Sequence, residues 1–206
     1  MKSLIVTGGA SGLGRAIARS ASEKGYRVGA LDVDGDALEK TASELDNVVP
    51  LEASVTCIEE IYDAVSEFGE TPDVWVNNAG IVRFAPLLGL SIDDWKAVVD
   101  VNLTGTFICS KVAAEAMSER GSGSIINITS INGISAGTNS GAYGATKSGI
   151  SLLTQQMSLE WGKLGLRINA IAPGLIDGGM SEPIYCLLYT SPSPRDRTRS
   201  RMPSSA

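Results

Sequence analysis

The sequence predicts an α/β domain built on one parallel β-sheet that is doubly wound, with helices on both of its faces. Two observations favour this fold class. Short β-rich runs alternate with longer helical patterns from the first residues onward. A glycine-rich turn also joins the first run directly to the first helical pattern. In a doubly wound sheet the ligand crevice lies at the carboxyl ends of the strands, so we expect functional residues there.

Six β-rich runs are predicted as strands, and five helical patterns separate them. The first run, Leu4-Ile5-Val6, is typical of the six because it is short, branched and apolar. The predicted strands are residues 3–6, 27–31, 48–51, 74–76, 124–128 and 167–171. The predicted helices are residues 13–24, 35–45, 57–68, 93–119 and 142–163. Such alternation implies right-handed crossovers and a parallel sheet that helices cover on both faces.

The composition favours one globular domain and argues against a nucleic-acid partner. The chain has 206 residues, of which 43% are hydrophobic, enough for one substantial core. Its formal net charge is −6, and residues 186–206 carry four arginines against one acid, which leaves −9 for residues 1–185. An acidic folded part argues against a nucleic-acid partner. The chain contains no histidine, which excludes His-based triads and His-containing metal sites, and we expect no metal.

The cysteines and the amino terminus favour a cytoplasmic protein. Cys57, Cys109 and Cys186 lie far apart in the sequence, so they indicate neither a disulfide framework nor a metal knuckle. The chain enters a hydrophobic strand at once, without a charged leader followed by an apolar signal core. We expect no membrane partner, because no apolar run looks long enough to cross a bilayer.

The end of the chain breaks the alternation of strands and helices. Tyr189–Ala206 is rich in Ser, Pro and Arg, which by composition alone is typical of a disordered basic tail for anionic partners. We favour another interpretation, because Cys186–Asp196 resembles the translation of a transposon-type sequencing adapter and Ser200–Ala206 that of the flow-cell primer region beyond it. The three residues between them fit the variable index in the same reading frame. We therefore expect a native domain over residues 1–184, truncated after the sixth strand, and a non-native tail over residues 185–206.

The glycine-rich turn predicts a dinucleotide site. Thr7-Gly-Gly-Ala-Ser-Gly-Leu-Gly14 follows the first strand and opens the first helix. Glycine at 8, 12 and 14 permits a tight turn and a close approach of the backbone to a pyrophosphate, while the helix offers free N–H groups and its positive dipole end. The residues expected to bind the cofactor here are Gly8, Ser11, Gly12, Leu13 and Gly14.

Asp32 favours NAD over NADP. It lies 18 residues beyond Gly14 at the end of the second predicted strand, where its carboxylate could accept hydrogen bonds from the ribose hydroxyls and repel a 2′-phosphate. The positions where NADP-binding proteins often carry a cation hold Ser11 and Val33. The alternative is that Asp32 only begins the turn Asp32-Val-Asp-Gly35.

The order of the motifs resembles the short-chain dehydrogenase/reductase family, whose fold is Rossmann-type. The three-glycine spacing is similar to that family's, and matching motifs follow over about 180 residues in the expected order. They are Asn77-Asn-Ala-Gly80, Asn102, Ser130, Tyr143-Gly-Ala-Thr-Lys147 and Pro173-Gly174. The resemblance implies that Val55, Asn78, Ala79, Gly80, Pro173, Gly174 and Ile176 also contact the cofactor. Two positions depart from the family pattern, since Ser54 stands for a frequent Asp and Gly178 for a frequent Thr.

Tyr143 and Lys147 are the predicted proton-transfer pair. They are four residues apart on a predicted helix, so their side chains share one face. An adjacent ammonium favours a phenolate, and we expect it to lower the pKa of Tyr143 toward neutrality. The resemblance implies that Tyr143 is the general acid or base and that Lys147 also holds the nicotinamide ribose.

Ser130 and Asn102 complete the predicted catalytic set. Ser130 follows the fifth predicted strand, where a hydroxyl could bind the reacting oxygen, and Thr129 is its rival. The spacing to Tyr143 favours Ser130 by analogy with the family. Asn102 lies inside a predicted helix, an unusual place for a side chain that competes for backbone hydrogen bonds. In the family this Asn holds a kinked backbone and a water of the proton relay.

We therefore expect an NAD-dependent oxidoreductase that interconverts a secondary alcohol and a ketone, and that forms homo-oligomers through its long helices. Steroid, sugar, acyl-thioester and small alcohol substrates all stay open. Two alternatives are a non-catalytic dinucleotide-binding protein on the same scaffold and an inactive truncated fragment. The set Asn102, Ser130, Tyr143 and Lys147 argues against the first alternative.

The interpretation of the tail predicts that residues 186–206 contribute nothing to stability or activity. A basic, proline-rich tail cannot cover a hydrophobic sheet edge, so the 206-residue chain should be less soluble and less active than a parent chain restored from the genomic reading frame after residue 184. Solubility, thermal midpoint and NAD turnover of the two chains test this. Equal values would show that the tail is a working part of the protein.

Overall fold

A computed structural model describes residues 1–176. The chain divides into two compact units, residues 1–174 and 175–206, and of the second unit only Leu175 and Ile176 are described. The predicted boundary after residue 184 and the adapter-like segment therefore lie outside the described residues.

The first unit contains the predicted doubly wound parallel sheet. All six predicted strands are present, each one residue longer than expected. They are β1 (Ser3–Thr7), β2 (Arg27–Asp32), β3 (Val48–Glu52), β4 (Val74–Asn77), β5 (Gly123–Ile128) and β6 (Leu166–Ile171). All neighbours pair in parallel, in the order β3-β2-β1-β4-β5-β6. The strand order reverses between β1 and β4, which places the ligand crevice at the carboxyl ends of these two strands.

Six α-helices connect the strands, because one predicted helix is two. They are α1 (Gly12–Glu23), α2 (Gly35–Glu44), α3 (Ile58–Phe68), α4 (Ile92–Val99), α5 (Gly105–Arg120) and α6 (Tyr143–Trp161). The prediction of one continuous α-helix over 93–119 was wrong at its middle, where the π-helical turn Asp100–Thr104 joins α4 to α5. Such turns widen a helix by one residue and are frequent at functional sites.

The side chains of alternate strand residues form two apolar layers, one on each face of the sheet. In β1, Ile5 faces α3, α5 and α6, whereas Leu4 and Val6 face α1. Trp75 of β4 and Phe68 of α3 are the largest fully buried side chains of the first layer. Helices on both faces explain why the strands are nearly continuous apolar runs.

Among residues 1–176, one helical stretch is long and apolar enough to cross a membrane, contrary to the sequence prediction. It covers Ile92–Arg120, which includes the π turn. Half of its most apolar part is buried inside the domain, and α5 packs on β4, β5 and α3. This burial is typical of the core helix of a soluble domain.

Candidate active site

The glycine turn between β1 and α1 is shaped by contacts within the protein. Gly8 has a φ of +68°, which favours glycine. A Cβ at Gly14 would lie 1.9 Å from the carbonyl oxygen of Gly8, so no larger residue fits there. The sequence argument attributed these glycines both to the tight turn and to a bound pyrophosphate, and the folded turn by itself already requires them.

The amino end of α1 lacks a cap, and this fits a dinucleotide phosphate. The Ser11 side chain makes no capping hydrogen bond, and the first turn of α1 contains no acid. In contrast, Asp34 caps α2 by accepting from the N–H of Ala37 at 3.0 Å. The uncapped N–H groups and the positive dipole end of α1 could therefore hold an anion beside the glycine turn.

Asp32 lies at the end of β2. Its carboxylate stabilises two turns, the one that follows β2 and the glycine turn. Its Oδ1 accepts from the N–H of Val33 at 2.8 Å and of Asp34 at 3.4 Å, as the turn alternative predicted. Its Oδ2 accepts from the N–H of Ala10 at 3.1 Å, which ties β2 to the glycine turn. A carboxylate has about four acceptor sites, so capacity for a ribose hydroxyl is left at Asp32.

Thr7, Asn78 and Ala79 join the ends of β1 and β4. The Thr7 hydroxyl accepts from the N–H groups of Asn78 and Ala79, both at 3.0 Å, and the Asn78 amide donates to the Thr7 carbonyl at 2.9 Å. A Cβ at Gly80 would lie 3.2 Å from Asn102 Oδ1 and 3.6 Å from Lys147 Nζ. These contacts give the Asn77–Gly80 motif a supporting role at the crevice.

The remaining predicted cofactor residues lie in three places. Val55 is buried and packs against Gly105 at the start of α5. The Pro173 carbonyl accepts from the N–H of Ile131 at 3.0 Å, which places Pro173-Gly174 beside the segment that follows Ser130. Ile176 belongs to the second unit of the chain, so it is not placed relative to this site.

Tyr143 and Lys147 lie together at the start of α6, as the spacing predicted. Lys147 is only 3% exposed, and its Nζ lies 5.5 Å from the centre of the Tyr143 ring. The ammonium donates a hydrogen bond of 2.7 Å to the carbonyl of Ile128, the last residue of β5. Lys147 thus fixes the active face of α6 against the carboxyl end of β5.

The prediction of a lowered pKa for Tyr143 was wrong. Burial raises the pKa of Tyr143 above its ordinary value, and the Ser130 side chain, which lowers it, has the smaller effect. Burial also lowers the pKa of Lys147 to about 8. The buried environment opposes both charged forms, so proximity of the ammonium alone does not produce a phenolate.

The two hydroxyls after β5 have different partners, which favours Ser130 as the group that meets the reacting oxygen. The Thr129 hydroxyl donates to the Ile171 carbonyl on β6 at 2.9 Å. The Ser130 hydroxyl accepts from the N–H of Asn132 at 3.1 Å and interacts with Tyr143. The Thr129 hydroxyl is therefore used in a hydrogen bond to the sheet, whereas the Ser130 hydroxyl lies next to the Tyr143 side chain.

Asn102 lies in the π turn and is completely buried. Its Oδ1 accepts from the N–H of Ile81 at 2.8 Å, and its Nδ2 donates to the Ile81 carbonyl at 2.9 Å and to Thr146 Oγ1 at 3.2 Å. Every polar atom of the Asn102 amide has a protein partner. The side chain therefore acts on the site by holding backbone, and the sequence signal for it, an Asn inside a helix, coincides with the π turn.

A buried polar network beneath the site was not predicted. Asn77 Oδ1 accepts from Trp75 Nε1, and Asn77 Nδ2 donates to Ser110 Oγ and Asn127 Oδ1, all at 2.8 Å. Asn127 Nδ2 donates in turn to Thr154 Oγ1 on α6 at 2.9 Å. The signal in the sequence was an Asn in each of two otherwise apolar strands. The network fixes β4 and β5 against α5 and α6.

The depressed pKa of Lys147 predicts a specific pH dependence of stability. Between about pH 8 and pH 10.5 the unfolded chain holds the Lys147 proton and the folded chain releases it, so the free energy of unfolding rises with pH in this window. Relative to Lys147→Met, the unsubstituted chain should gain roughly 1–2 kcal/mol between about pH 7 and about pH 9.5. Urea unfolding measures it, with the exposed Lys163→Met as the control. A difference that stays constant with pH would contradict the predicted burial cost.

The sequence and the fold were compared with known proteins. Residues 2–185 match the family described as short chain dehydrogenase. The chain is 34% identical to 3beta-hydroxysteroid dehydrogenase 1 of Eggerthella lenta, over 98% of this chain and 79% of that protein. It is 35% identical to D-threitol dehydrogenase of Mycolicibacterium smegmatis, over 85% of this chain and 70% of that protein.

Comparison of the fold with solved structures indicates the same family. A 3-oxoacyl-[acyl-carrier protein] reductase of Brucella melitensis, solved with bound NAD, superposes with a TM-score of 0.82 and 34% identity, over 85% of this chain and 71% of that one. The family match, the sequence relatives and the parallel sheet with its ordered motifs agree. The chain belongs to the short-chain dehydrogenase family.

Proposed function

We propose that the protein is an NAD-dependent oxidoreductase that interconverts a secondary alcohol and a ketone, with Tyr143 as the general acid or base. One observation carries the proposal. The Tyr143 ring, the Ser130 hydroxyl and the Lys147 ammonium meet at the carboxyl end of β5, on the same sheet edge as the uncapped amino end of α1. A proton-transfer group and an anion site on one edge suit hydride transfer coupled to proton transfer.

The roles of the side chains follow from their contacts. The Ser130 and Tyr143 hydroxyls would hold the reacting oxygen between them. In alcohol oxidation the phenolate of Tyr143 takes the hydroxyl proton, and in ketone reduction the phenol returns it. NAD, when bound, supplies the nicotinamide carbon that accepts the hydride from the alcohol carbon. Lys147 has three N–H donors and the Ile128 carbonyl takes one, which leaves donors for a ribose hydroxyl.

The surroundings of Asp32 support NAD rather than NADP. The Asp32 carboxylate would repel a 2′-phosphate at the end of β2. Arg15, the cation that follows the glycine turn, donates from Nε to Thr41 Oγ1 at 3.2 Å and forms an ion pair with Glu44 on α2. Because its guanidinium is already paired, it offers little to a phosphate.

The family acts on small molecules, and the named relatives are described by a hydroxysteroid and a sugar alcohol. Both compounds carry secondary hydroxyl groups, which is the class of group we propose here. We also propose a cytoplasmic homo-oligomer that pairs through α5 and α6, since Phe107, Leu152 and Leu159 are exposed apolar side chains on these two helices. We also propose that residues 186–206 are foreign to the native chain; the family match ends at residue 185, whereas the alignment with the Eggerthella lenta protein covers 98% of the chain.

Removal of the Asp32 carboxylate should relax the cofactor preference. We expect Asp32→Ala to raise the ratio of kcat/KM for NADP to that for NAD by roughly tenfold or more, because a repulsive charge is lost. Steady-state kinetics with both cofactors on the parent chain measure the ratio. Asp63→Ala, which removes an exposed carboxylate of α3, is the charge-matched control. A preference for NADP that Asp32→Ala leaves unchanged would contradict the assignment.

Removal of the Tyr143 hydroxyl should abolish most turnover and spare NAD binding. We expect Tyr143→Phe to lower kcat by roughly 100-fold or more, because it removes the proton-transfer group and little binding surface. Lys147→Ala should impair both turnover and NAD binding. Kinetics and cofactor titration on the parent chain test this, with Tyr62→Phe, an exposed tyrosine of α3, as the control. Near-normal turnover of Tyr143→Phe would refute the mechanism.

A further inference from the structure

Two buried threonines of α6, one in the first turn and one in the middle of the helix, have the same hydrogen-bonding pattern. The Thr146 hydroxyl donates to the Tyr143 carbonyl at 2.7 Å, and the Thr154 hydroxyl donates to the Ile150 carbonyl at 2.7 Å. Each hydroxyl also accepts from the amide of a buried asparagine. Asn102 Nδ2 donates to Thr146 at 3.2 Å, and Asn127 Nδ2 donates to Thr154 at 2.9 Å.

The bond from each threonine hydroxyl to a carbonyl of its own helix is ordinary. The bond that each hydroxyl accepts from an asparagine of another element is not. A threonine inside a helix often donates to a carbonyl three or four residues earlier, which satisfies the hydroxyl locally. Thr146 is only 2% exposed and uses its acceptor capacity for Asn102, which lies 44 residues away in the π turn. Its hydroxyl therefore connects the π turn to the first turn of α6.

The two asparagines that donate to these threonines connect α6 to different parts of the domain. Asn127 also accepts a hydrogen bond from Asn77 of the core network, so Thr154 fixes the middle of α6 to the centre of the sheet. Asn102 continues to the N–H and the carbonyl of Ile81, so Thr146 fixes the first turn of α6 to the segment after β4. The carbonyl that Thr146 holds is that of Tyr143 itself.

We propose that Thr146 is a positioning residue for Tyr143, which it holds toward Ser130 through its link to Asn102. The proposal rests on the function proposed above for Tyr143. Both N–H groups of the Asn102 amide are used, since Nδ2 donates to the Ile81 carbonyl and to Thr146. Loss of the Thr146 hydroxyl would leave a buried N–H of Asn102 without a partner and release the first turn of α6. Tyr143 would then move relative to Ser130 on the other side of the site.

The displacement should be visible in the titration of Tyr143, without any need for turnover. The Ser130 interaction lowers the pKa of Tyr143 and burial raises it, so a weaker contact with Ser130 raises that pKa further. The chain has only five tyrosines, so ¹³Cζ-tyrosine NMR of the 206-residue chain resolves each titration, and Tyr143→Phe assigns the signal. Lys147 is the charged side chain in contact with the Tyr143 ring within the described residues, and no variant used here alters it.

The test compares three substitutions on one helix. Thr146→Val keeps the shape and removes the hydroxyl, and we expect it to raise the Tyr143 pKa by about half a unit or more. Thr146→Ser keeps the hydroxyl and should restore the pKa to within about 0.2 units. Thr154→Val removes the equivalent hydroxyl from the core link, so it should lower the urea midpoint and leave the Tyr143 pKa unchanged. If Thr146→Val fails to fold, Thr146→Ala takes its place in the same comparison.

Two outcomes would overturn the proposal. An unchanged Tyr143 pKa in a folded Thr146→Val chain would show that the hydroxyl serves only its own helix. An equal shift in Thr154→Val would show that any loosening of α6 has the same effect. Neither outcome would contradict the proposed function. That proposal is tested separately, and it fails if Tyr143→Phe retains near-normal turnover.

Discussion

The parallel pairing of β1 with β4 brings the carboxyl ends of both strands to the same edge of the sheet, next to each other. Because their connections leave in opposite directions at this point, backbone groups at the two ends would lack sheet partners. The Thr7 hydroxyl meets part of that need by accepting from two successive N–H groups after β4. The glycine turn, the Asn78-Ala79-Gly80 segment and the crevice between them all depend on this junction.

Burial determines the electrostatics of the site. Lys147 and Tyr143 lie under the crevice, where desolvation opposes both the ammonium and the phenolate. The remaining side chains of the site, Ser130, Asn102 and Thr146, are neutral and act through hydrogen bonds. In such surroundings a nearby charge has a strong influence, since few other charges and little water compete with it. Because the pKa of Lys147 is about 8, a group bound in the crevice can change the fraction of Lys147 that is charged.

The sequence predicted the parts of the fold that depend on local pattern. All six strands were found, because buried parallel strands read as short apolar runs between turn signals. Asn102 was recognised as anomalous inside a helix, although the π turn itself depends on contacts with Ile81 that no local pattern reveals. The raised pKa of Tyr143 was missed for the same reason, because desolvation depends on what packs around a side chain. Thr146 was missed because a threonine on a helix carries no local signal of its distant partner.

The helix termini show how charge is arranged around the crevice. Among the described helices that do not continue from the π turn, α2, α3 and α4 each have an acid in the first turn, which neutralises the positive dipole end. The amino ends of α1 and α6 have neither a capping side chain nor an acid, and both border the site. At α1 this leaves a positive end for a phosphate. At α6 it leaves one at the turn that contains Tyr143. The proton transfer that we propose for Tyr143 would thus depend on α6 in two ways, through the positive end at which Tyr143 lies and through the hydrogen bond by which Thr146 holds the first turn.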